Sequence, residues 1–423
     1  MAFTLAQKLM AKHARDVRSE ADLAPGRIVT CGLSVCLAND ITGPLCVNSL
    51  KGMGVDKVFD KDKVVLVMDH FTPQKDIASA EQVIVSRKFA AEQGLTHYYE
   101  GGDAGVEHAL LPELGIVGPG DMIIGADSHT CTYGALGAFA TGMGSADVAA
   151  GMALGETWFR VPETIRVEFT GTLPENVGGK DLILWLIGRI GVDGARYKAL
   201  EFAGPAIDAL SMDGRMTIAN MAVEAGGKCG LFAADDKTLA YCKAAGRQGD
   251  EKISADAGAV YERVVTHDVT GMEPQVACPH LPENVKPVSE VKDVAVNQVI
   301  IGSCTNGRIG DMRAAAKVLK GRKVKKGLRC IVLPATPGVW MQSLKEGLVE
   351  TMLEAGCIMG PPSCGPCLGG HLGILGTGEK ALSTTNRNFK TRMGANDSEV
   401  YLAGPAVAAA TAVTGVITNP EKL

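Results

Sequence analysis

The chain has 423 residues, which is too long for one compact core and predicts two or three domains. Hydrophobic residues make up 46% and aromatic residues only 5%, a balance that suits α/β layers rich in small aliphatic side chains. The net charge of −5 offers no basic surface for nucleic acid, so we expect no nucleic-acid partner. No apolar run reaches the roughly 18 residues of a membrane helix, so we expect no membrane association.

The N-terminus, residues 1–20, is predicted to form an amphipathic helix that already contains Asp16 and Glu20. It has neither the apolar core of a signal peptide nor the acid-free composition of a transit peptide. Twelve cysteines without a secretion signal indicate reduced thiols, and we therefore expect a cytoplasmic protein. Most of these cysteines have no partner at ligand spacing and are interpreted as buried thiols.

In the first third of the chain, two predicted buried strands end in acidic and histidine side chains. Residues 63–68 and 121–125 are apolar runs of the kind found in parallel sheets. A helix is predicted at 76–93, closed by Gly94, and a glycine-rich turn follows it before the next histidine. The polar residues at these positions are Asp69, His70, His108, Asp127 and His129.

Histidine beside a carboxylate is a frequent general acid, because the carboxylate fixes the tautomer and raises the pKa of the ring. Each histidine alone could equally be a structural residue. Ligands gather outside the carboxyl ends of the strands in α/β sheets, so we expect these strand-end side chains to share one site.

The middle of the chain changes character after about residue 161. The predicted elements are a strand at 163–170 and helices at 180–190 and 213–225. The last of these helices carries Asn220 and Glu224 four residues apart, and hence on one face. The charged segment 235–279 is interpreted as a surface excursion that leads to a linker at about 280–287.

The last third returns to α/β alternation. The predicted elements are strands at 297–302 and 328–333 and helices at 311–320, 337–356 and 403–411. The first of these strands ends like the strand at 121–125, in a glycine followed by polar residues. This likeness suggests two related α/β units.

Three cysteines lie on glycine-rich loops of this last third. Cys364 and Cys367 are separated by Gly365 and Pro366, and such a turn can aim both sulfurs at one point. Cys304 lies upstream on a similar loop. Three thiolates with one open position suit a [4Fe–4S] cluster with an exposed iron, while a zinc site and a redox pair stay open as alternatives.

A further polar group contains Asn386, Arg387 and Arg392. The arginine fork binds carboxylates in a bidentate manner. A solvated basic face is the other interpretation of this group.

Four motifs together resemble the aconitase superfamily of iron–sulfur hydro-lyases. They are Asp127-Ser-His-Thr130, Gly302-Ser-Cys-Thr-Asn-Gly-Arg308, Ser363-Cys-Gly-Pro-Cys367 and Asn386-Arg-Asn-Phe389. The resemblance runs from about Thr4 to the end of the sequence. Within the superfamily, the chain is similar to the separate large subunit of the isopropylmalate dehydratase and homoaconitase branch.

The resemblance implies an α/β fold of three domains around a central [4Fe–4S] cluster, without the mobile fourth domain of single-chain relatives. From the changes of character along the chain we place the domains at 1–163, 164–283 and 284–423. One cluster per subunit is implied, held by Cys304, Cys364 and Cys367, with one iron that the protein does not ligate.

The resemblance also implies roles for the other site residues. Asp69 and His70 would protonate the departing hydroxyl of the substrate. The residues around the iron-bound oxygen would be His108, Asp127, His129 and Glu224. The residues that position the cluster or hold carboxylate would be Asn220, Asn386, Arg387 and Arg392.

The implied reaction is the reversible dehydration of a 2-hydroxy di- or tricarboxylic acid of the 3-isopropylmalate type. Glu107 and Ala109 flank His108 where relatives usually have Cys and Gln, which leaves 2,3-dimethylmalate and homocitrate as alternatives. The serine base of the family lies on the fourth domain, so we expect a small partner subunit to supply it in a heterodimer or heterotetramer. An RNA-binding or iron-sensing relative is the non-enzymatic alternative.

Overall fold

The computed structural model describes residues 2–423 and contains a five-, a four- and a seven-stranded sheet with a separate two-stranded ribbon. The strands are β1 (Ile28–Gly32), β2 (Val35–Asn39), β3 (Val64–Val67), β4 (His97–Tyr99), β5 (Met122–Gly125), β6 (Phe139–Gly142), β7 (Glu156–Arg160), β8 (Thr164–Thr170), β9 (Ala199–Ala203), β10 (Cys229–Phe232), β11 (Arg263–Asp268), β12 (Gln275–Ala277), β13 (Val285–Pro287), β14 (Gln298–Gly302), β15 (Arg329–Leu333), β16 (Ile358–Met359), β17 (Lys380–Ser383) and β18 (Glu399–Ala403).

Helices connect most of the parallel strands. They are α1 (Leu5–His13), α2 (Gly43–Gly52), α3 (Ile77–Gln93), α4 (Glu107–Glu113), α5 (Ser145–Leu154), α6 (Gly179–Ile190), α7 (Pro205–Ala209), α8 (Met212–Asn220), α9 (Asp236–Ala244), α10 (Ser303–Asn306), α11 (Ile309–Leu319), α12 (Pro337–Lys345), α13 (Leu348–Ala355) and α14 (Pro405–Thr414). None of these helices is long and apolar enough to cross a membrane.

The five-stranded sheet is parallel, with the order β4-β3-β2-β5-β6. Its strands are apolar on both faces: Val65 and Val67 belong to one core, and Val64 and Leu66 to another. Such double burial is typical of parallel sheets covered by helices on both sides. Successive strands are added on one side of β2 up to β4 and on its other side from β5 onward, so the strand order reverses between β2 and β5, and ligands bind at such a switch point.

The seven-stranded sheet repeats this arrangement in its parallel part. There the order β18-β17-β14-β15-β16 has the same pattern, with its switch point between β14 and β17. The shared order agrees with the two related α/β units suggested by the sequence. The predicted α/β class is confirmed.

The four-stranded sheet, β10-β9-β8-β11, lies between these two units in the sequence and is also parallel. Its strand β11 falls within 235–279, as does α9, so the interpretation of that segment as a surface excursion was wrong. The misleading signal was polarity: β11 pairs with β8 on one side only, and an edge strand can carry exposed polar residues.

The limits predicted for the three domains stay a prediction. Strand β12, which precedes residue 284, pairs with β18 and so belongs to the seven-stranded sheet.

Five predicted strands are confirmed within one or two residues at each end. They are the strands predicted at 63–68, 121–125, 163–170, 297–302 and 328–333.

Some predicted helices differ from those observed. The helix predicted at 337–356 is divided into α12 and α13, because Gly347 adopts a left-handed φ of 72°. The N-terminal helix covers only α1, since Ala14 is extended and bridges to Cys31; Met1 lies outside the described residues. The helix predicted at 213–225 continues after Asn220 as a 3-10 helix.

Two helix ends illustrate how local sequence sets the boundaries. Helix α3 begins where the Asp76 carboxylate accepts from the Ser79 amide at 2.8 Å, and it ends at Gly94 as predicted. Helix α11 begins two residues before the predicted Asp311. The carboxylate of Asp311 reaches back to accept from the Arg308 amide at 3.0 Å.

Candidate active site

The polar ends of the strands in the two doubly wound units meet in one pocket with a cavity volume of about 40 Å³. The sequence-predicted residues that line it are Asp69, His70, His108, Asp127, His129, Cys304, Cys364, Cys367, Asn386, Arg387 and Arg392. Asn220 and Glu224 lie behind this lining and contact residues of it. The predicted set is therefore brought together, in two layers.

His70 follows β3 and is held by carboxylates. Its Nδ1 lies 2.7 Å from Asp69 Oδ1, and its Nε2 lies 3.6 Å from Asp127 Oδ2. Burial lowers the pKa of His70, but the carboxylates of Asp69 and Asp127 outweigh it and raise that pKa well above its usual value. The ring is thus protonated at neutral pH, with Nε2 toward the pocket.

Asp127, which follows β5, accepts from two histidines at once. Its Oδ1 lies 2.9 Å from His108 Nε2 and 2.7 Å from the His129 amide. Burial raises the pKa of Asp127, yet hydrogen bonds from His108 and His129 lower it well below its usual value. Asp127 is therefore ionised and fixes the orientation of both histidines.

Glu224 links His129 to Arg387. Its Oε1 lies 2.9 Å from His129 Nε2 and accepts from Arg387 Nε at 2.7 Å. Burial and the charge of Arg387 lower the pKa of His129, but contact with Asp127 and Glu224 outweighs them and raises this pKa to about 9. The two Nη groups of Arg387 are not used in this contact and remain available for a carboxylate.

Cys304 lies in the short helix α10, while Cys364 and Cys367 follow β16, and the two segments touch each other. Cys364 lies against both Cys304 and Cys367, and this contact raises the pKa of Cys364 and lowers that of the other two. The Cys364 amide donates to Asp69 O at 2.9 Å, which joins the cysteine loop to the acid–base loop.

The approach to Cys304 depends on glycine. A Cβ at Gly302 would lie only 2.6 Å from Leu333 O, and the φ of 153° at this position is one that side chains rarely adopt. Ser303 follows in the left-handed region at a φ of 81°. Such backbone is uncommon for serine and clusters at functional sites.

Asn386 follows β17 and reaches the cysteine region through a buried network. Its Nδ2 donates to Cys304 Sγ at 3.4 Å and to Thr305 Oγ1 at 3.1 Å. Asn220 lies behind it, accepting from Thr305 Oγ1 at 3.0 Å. Asn220 thus orients Asn386 and does not itself line the pocket.

The number of cysteines in the pocket tests which group fits. Three cysteine thiols line the pocket, and among the described residues its lining contains no fourth cysteine. A structural zinc site takes four protein ligands and a redox pair needs only two cysteines, whereas three thiols fit a [4Fe–4S] cluster with one iron free of cysteine.

Unpartnered polar atoms belong to residues that line the same pocket. Glu107 Oε2, Asn386 Oδ1 and Arg392 Nε are buried and make no hydrogen bond among the described residues. Buried polar groups are normally satisfied, so three of them around one pocket indicate a polar occupant. The residues present thus fit an iron–sulfur cluster together with an anionic substrate.

Several supporting residues were missed at the sequence level. Asp40, which directly follows β2, accepts from the amides of His70 at 2.9 Å and Phe71 at 2.8 Å. Tyr133 OH lies 3.0 Å from His108 Nδ1. The strand-end argument that found Asp69 would also have found Asp40, whereas no local signal distinguishes Tyr133.

Arg308 ends one of the family motifs, but the sequence assigned it no role. It is buried and bridges the two units, donating to Cys304 O at 2.8 Å and His108 O at 3.1 Å. Its partners lie far apart in the sequence, so spacing could not reveal the contact.

Comparison with known proteins agrees with this site. The profile described as Aconitase family (aconitate hydratase) matches residues 7–415. The chain is 71% identical to the 3-isopropylmalate dehydratase large subunit of Nitratidesulfovibrio vulgaris, 67% to that of Oleidesulfovibrio alaskensis and 58% to that of Moorella thermoacetica. Each comparison covers 100% of both chains.

Among solved structures, the fold is similar to the crystal structure of Thermococcus kodakaraensis aconitase X in its holo-form. The TM-score is 0.50 at 12% identity, covering 91% of this chain and 93% of that one. At this identity the likeness concerns the fold alone. The profile match over almost the whole chain and the full-length relatives confirm the resemblance seen in the motifs, and the chain belongs to the aconitase family.

Proposed function

We propose that this chain is the iron–sulfur subunit of a two-subunit hydro-lyase that reversibly dehydrates a 2-hydroxy acid of the 3-isopropylmalate type. The observation that carries the proposal is the position of His70, whose ring nitrogens face the carboxylates of Asp69 and Asp127 and which lines the same pocket as three cysteines. The names of the full-length relatives support the substrate over 2,3-dimethylmalate and homocitrate.

Cys304, Cys364 and Cys367 would hold one [4Fe–4S] cluster. When bound, a cluster with one iron free of cysteine supplies a Lewis acid that polarises the hydroxyl of the substrate. Asn386 would stabilise the Cys304 thiolate, because its amide donates a hydrogen bond to Cys304 Sγ.

The chain's own residues supply the acid. His70 Nε2 carries a proton toward the pocket, and Asp69 on the other ring nitrogen keeps the ring in that orientation. Donation of this proton to the departing hydroxyl leaves a neutral ring that Asp69 still holds. General acid catalysis of this kind typically contributes about 10²–10⁴-fold to the rate.

Arg387 and Arg392 would bind the carboxylates of the substrate. Arg387 is fixed by Glu224, and Arg392 Nε is buried without a partner among the described residues. A buried arginine with an unused donor is suited to a carboxylate, because it gains a charge-assisted hydrogen bond on binding.

A small partner subunit would complete the pocket. The relatives that match this chain over its full length are named large subunits. We propose that the partner supplies the mobile fourth domain with its serine base, in a heterodimer or heterotetramer, and that the complex is cytoplasmic. The acid–base groups around the pocket favour this enzyme over an RNA-binding or iron-sensing protein.

The test is anaerobic purification followed by iron, sulfide and zinc analysis. We expect about four irons and four sulfides per chain, as in a [4Fe–4S] cluster, and the loss of iron on exposure to air. Cys304→Ser should lower the iron content, whereas Cys242→Ser, at a buried thiol outside the pocket, should not. Stoichiometric zinc, or an air-stable cluster that keeps all its iron, would contradict the proposal.

A further inference from the structure

A second polar pocket lies at the opposite edge of the five-stranded sheet. Its cavity measures about 410 Å³. Lys63 directly precedes β3 and Asp121 directly precedes β5, so this pocket is at the amino ends of the strands that carry the active site at their carboxyl ends. Strands of four or five residues separate the two by roughly 13–17 Å.

Cationic side chains dominate the lining of this pocket. They are Lys12, Arg15, Lys63 and Arg247, with His13 beside them. Asp121 is the acidic residue of the lining, and it lies 3.5 Å from the Arg247 guanidinium.

The positive charge of the lining is only partly neutralised. Arg247 is paired with Asp250 at 2.9 Å, and Lys63 lies 3.8 Å from Asp60. Lys12 and Arg15 form no ion pair with any described residue. An excess of positive charge is thus gathered in one cavity of a chain whose net charge is −5.

Glycines make room for three of these cations. A Cβ would approach closer than 3.0 Å to the end of Arg15 at Gly32, of Arg247 at Gly118 and of Lys12 at Gly120. Each cationic group therefore lies directly against a bare stretch of backbone. Lys12, Arg15 and Lys63 are exposed and Arg247 is half-buried, so a ligand can reach these groups from solvent.

Backbone contacts fix the walls around these cations. His13 Nε2 lies 2.7 Å from Gly120 O, and the Arg15 amide donates to Thr30 O at 2.8 Å. Ser34 also lines the cavity, and its Oγ accepts from the Met122 amide at 3.1 Å. That hydroxyl keeps its own proton for a ligand, since a serine both donates and accepts.

We propose that this cavity binds a small phosphate-bearing anion. The Arg15 guanidinium, the Lys12 ammonium group and the Ser34 hydroxyl around one space match the acceptor oxygens of a phosphate, while Arg247 is held by Asp250 and forms part of the wall. The volume falls in the range of small-molecule sites, roughly 300–1,000 Å³. The inference does not depend on the reaction proposed for the first pocket.

The experiment is a calorimetric titration of inorganic phosphate into anaerobically purified protein, with chloride used to hold ionic strength constant. We expect saturable binding of one phosphate per chain. Lys12→Gln and Arg15→Gln should each weaken binding by at least about tenfold, the factor expected for a lost hydrogen bond to a charged group. Lys57→Gln, at an exposed lysine outside the cavity, should leave binding unchanged.

Gly32→Ala distinguishes phosphate binding in this cavity from general electrostatic attraction, because the variant retains every charge and only displaces the Arg15 guanidinium. We expect it to weaken phosphate binding as well, with unchanged iron content and unfolding temperature. Phosphate binding that is absent from the parent, or equal in the parent, Lys12→Gln and Gly32→Ala, would overturn the proposal. These two variants suffice if Arg15→Gln fails to fold.

Discussion

At the scale of single residues, His70 is set apart by the number of carboxylates around it. Asp69 contacts one ring nitrogen, while Asp127 lies near the other. Asp40 lies 3.7 Å from Nδ1 and also holds the backbone of the same turn. This surplus of negative charge keeps a proton on a buried ring that would otherwise be neutral.

We predict that His70→Ala lowers turnover of the complete enzyme by about 10²–10⁴-fold or more while the iron content stays the same. The reason is that His70 moves a proton and contacts no iron ligand through its ring. Turnover and iron content measured on the same anaerobic samples check this. His97→Ala, on the edge strand β4, is the matched control and should retain activity. Loss of iron in His70→Ala, or turnover within tenfold of the parent, would disprove the role.

Glu107 is the other unusual residue of the pocket. It is 1% exposed, its Oε1 accepts from Asn39 Nδ2 at 3.2 Å, and its Oε2 has no partner among the described residues. Burial, together with the charges of Asp69 and Asp127, raises the pKa of Glu107 well above its usual value. The folded protein therefore keeps a proton on Glu107 that the unfolded chain releases above about pH 4.3.

This difference makes stability depend on pH. Since the folded state binds the additional proton, Glu107 destabilises the fold progressively as the pH rises from about 4.3 toward its raised pKa. We predict that Glu107→Gln, which cannot ionise, abolishes this loss of stability at higher pH. The unfolding temperature of the variant should therefore rise relative to the parent as the pH increases. Thermal unfolding over a series of pH values measures it. A difference that stays constant with pH would show that Glu107 is ionised in the fold.

At the scale of elements, the alternation of strands and helices was predictable because apolar runs and glycine ends are local signals. The strand at 64–67 and the helix at 77–93 were found in this way, and so were the polar residues directly after the strands. The division at Gly347 was not, because glycine is also tolerated inside a helix and only its left-handed φ ends one.

Lys180 shows what local signals leave out. It lies in the first turn of helix α6, it is 2% exposed, and its Nζ donates to Thr384 O at 3.0 Å and also to Thr385 O. Burial lowers the pKa of Lys180 to about 7, against the opposing effect of Cys367 and Cys304. Lys180 thus connects helix α6 to the loop after β17, which carries Asn386 and Arg387.

We predict that Lys180→Met loosens this loop. The carbonyls of Thr384 and Thr385 lose their buried donor, which should lower the free energy of unfolding by about 1–3 kcal/mol and speed the removal of iron by a chelator. Denaturant unfolding and timed chelation measure the two effects. Lys317→Met, at a surface pair with Glu175, is the control and should change stability by less than about 1 kcal/mol. Equal behaviour of both variants would contradict the anchoring role.

At the scale of the whole molecule, the site depends on contacts between distant parts of the chain. Arg308 reaches His108 O, Asn386 reaches Cys304, and Cys364 reaches Asp69 O. No spacing in the sequence predicts such pairs; the family motifs indicated that these residues belong together, and the two switch points explain why. Each doubly wound unit directs the carboxyl ends of its strands toward its switch point. The two units face each other there, and together they enclose the pocket.

The same geometry leads to the last prediction, which rests on the proposed function. The histidines and carboxylates of the pocket are engaged with one another and are suited to the hydroxyl side of the substrate, while the carbon-bound proton needs a separate base. Without the partner subunit we expect turnover to fall by at least about 10²–10⁴-fold, the contribution of one positioned acid–base group. Water entering an open pocket would weaken its electrostatic contacts further.

The measurement is steady-state dehydration by the isolated chain and again after titration with the purified partner. It decides whether turnover needs a base from the partner. Recovery that saturates at a fixed ratio of the two chains is the expected result, with iron content equal before and after mixing. Full turnover by the isolated chain would place the base within these residues. Ser128, which lines the pocket with its Oγ 3.4 Å from His129 Nδ1, would then be the first candidate. Ser128→Ala would test that assignment directly, since the loss of a base in this chain should abolish turnover whether or not the partner is present.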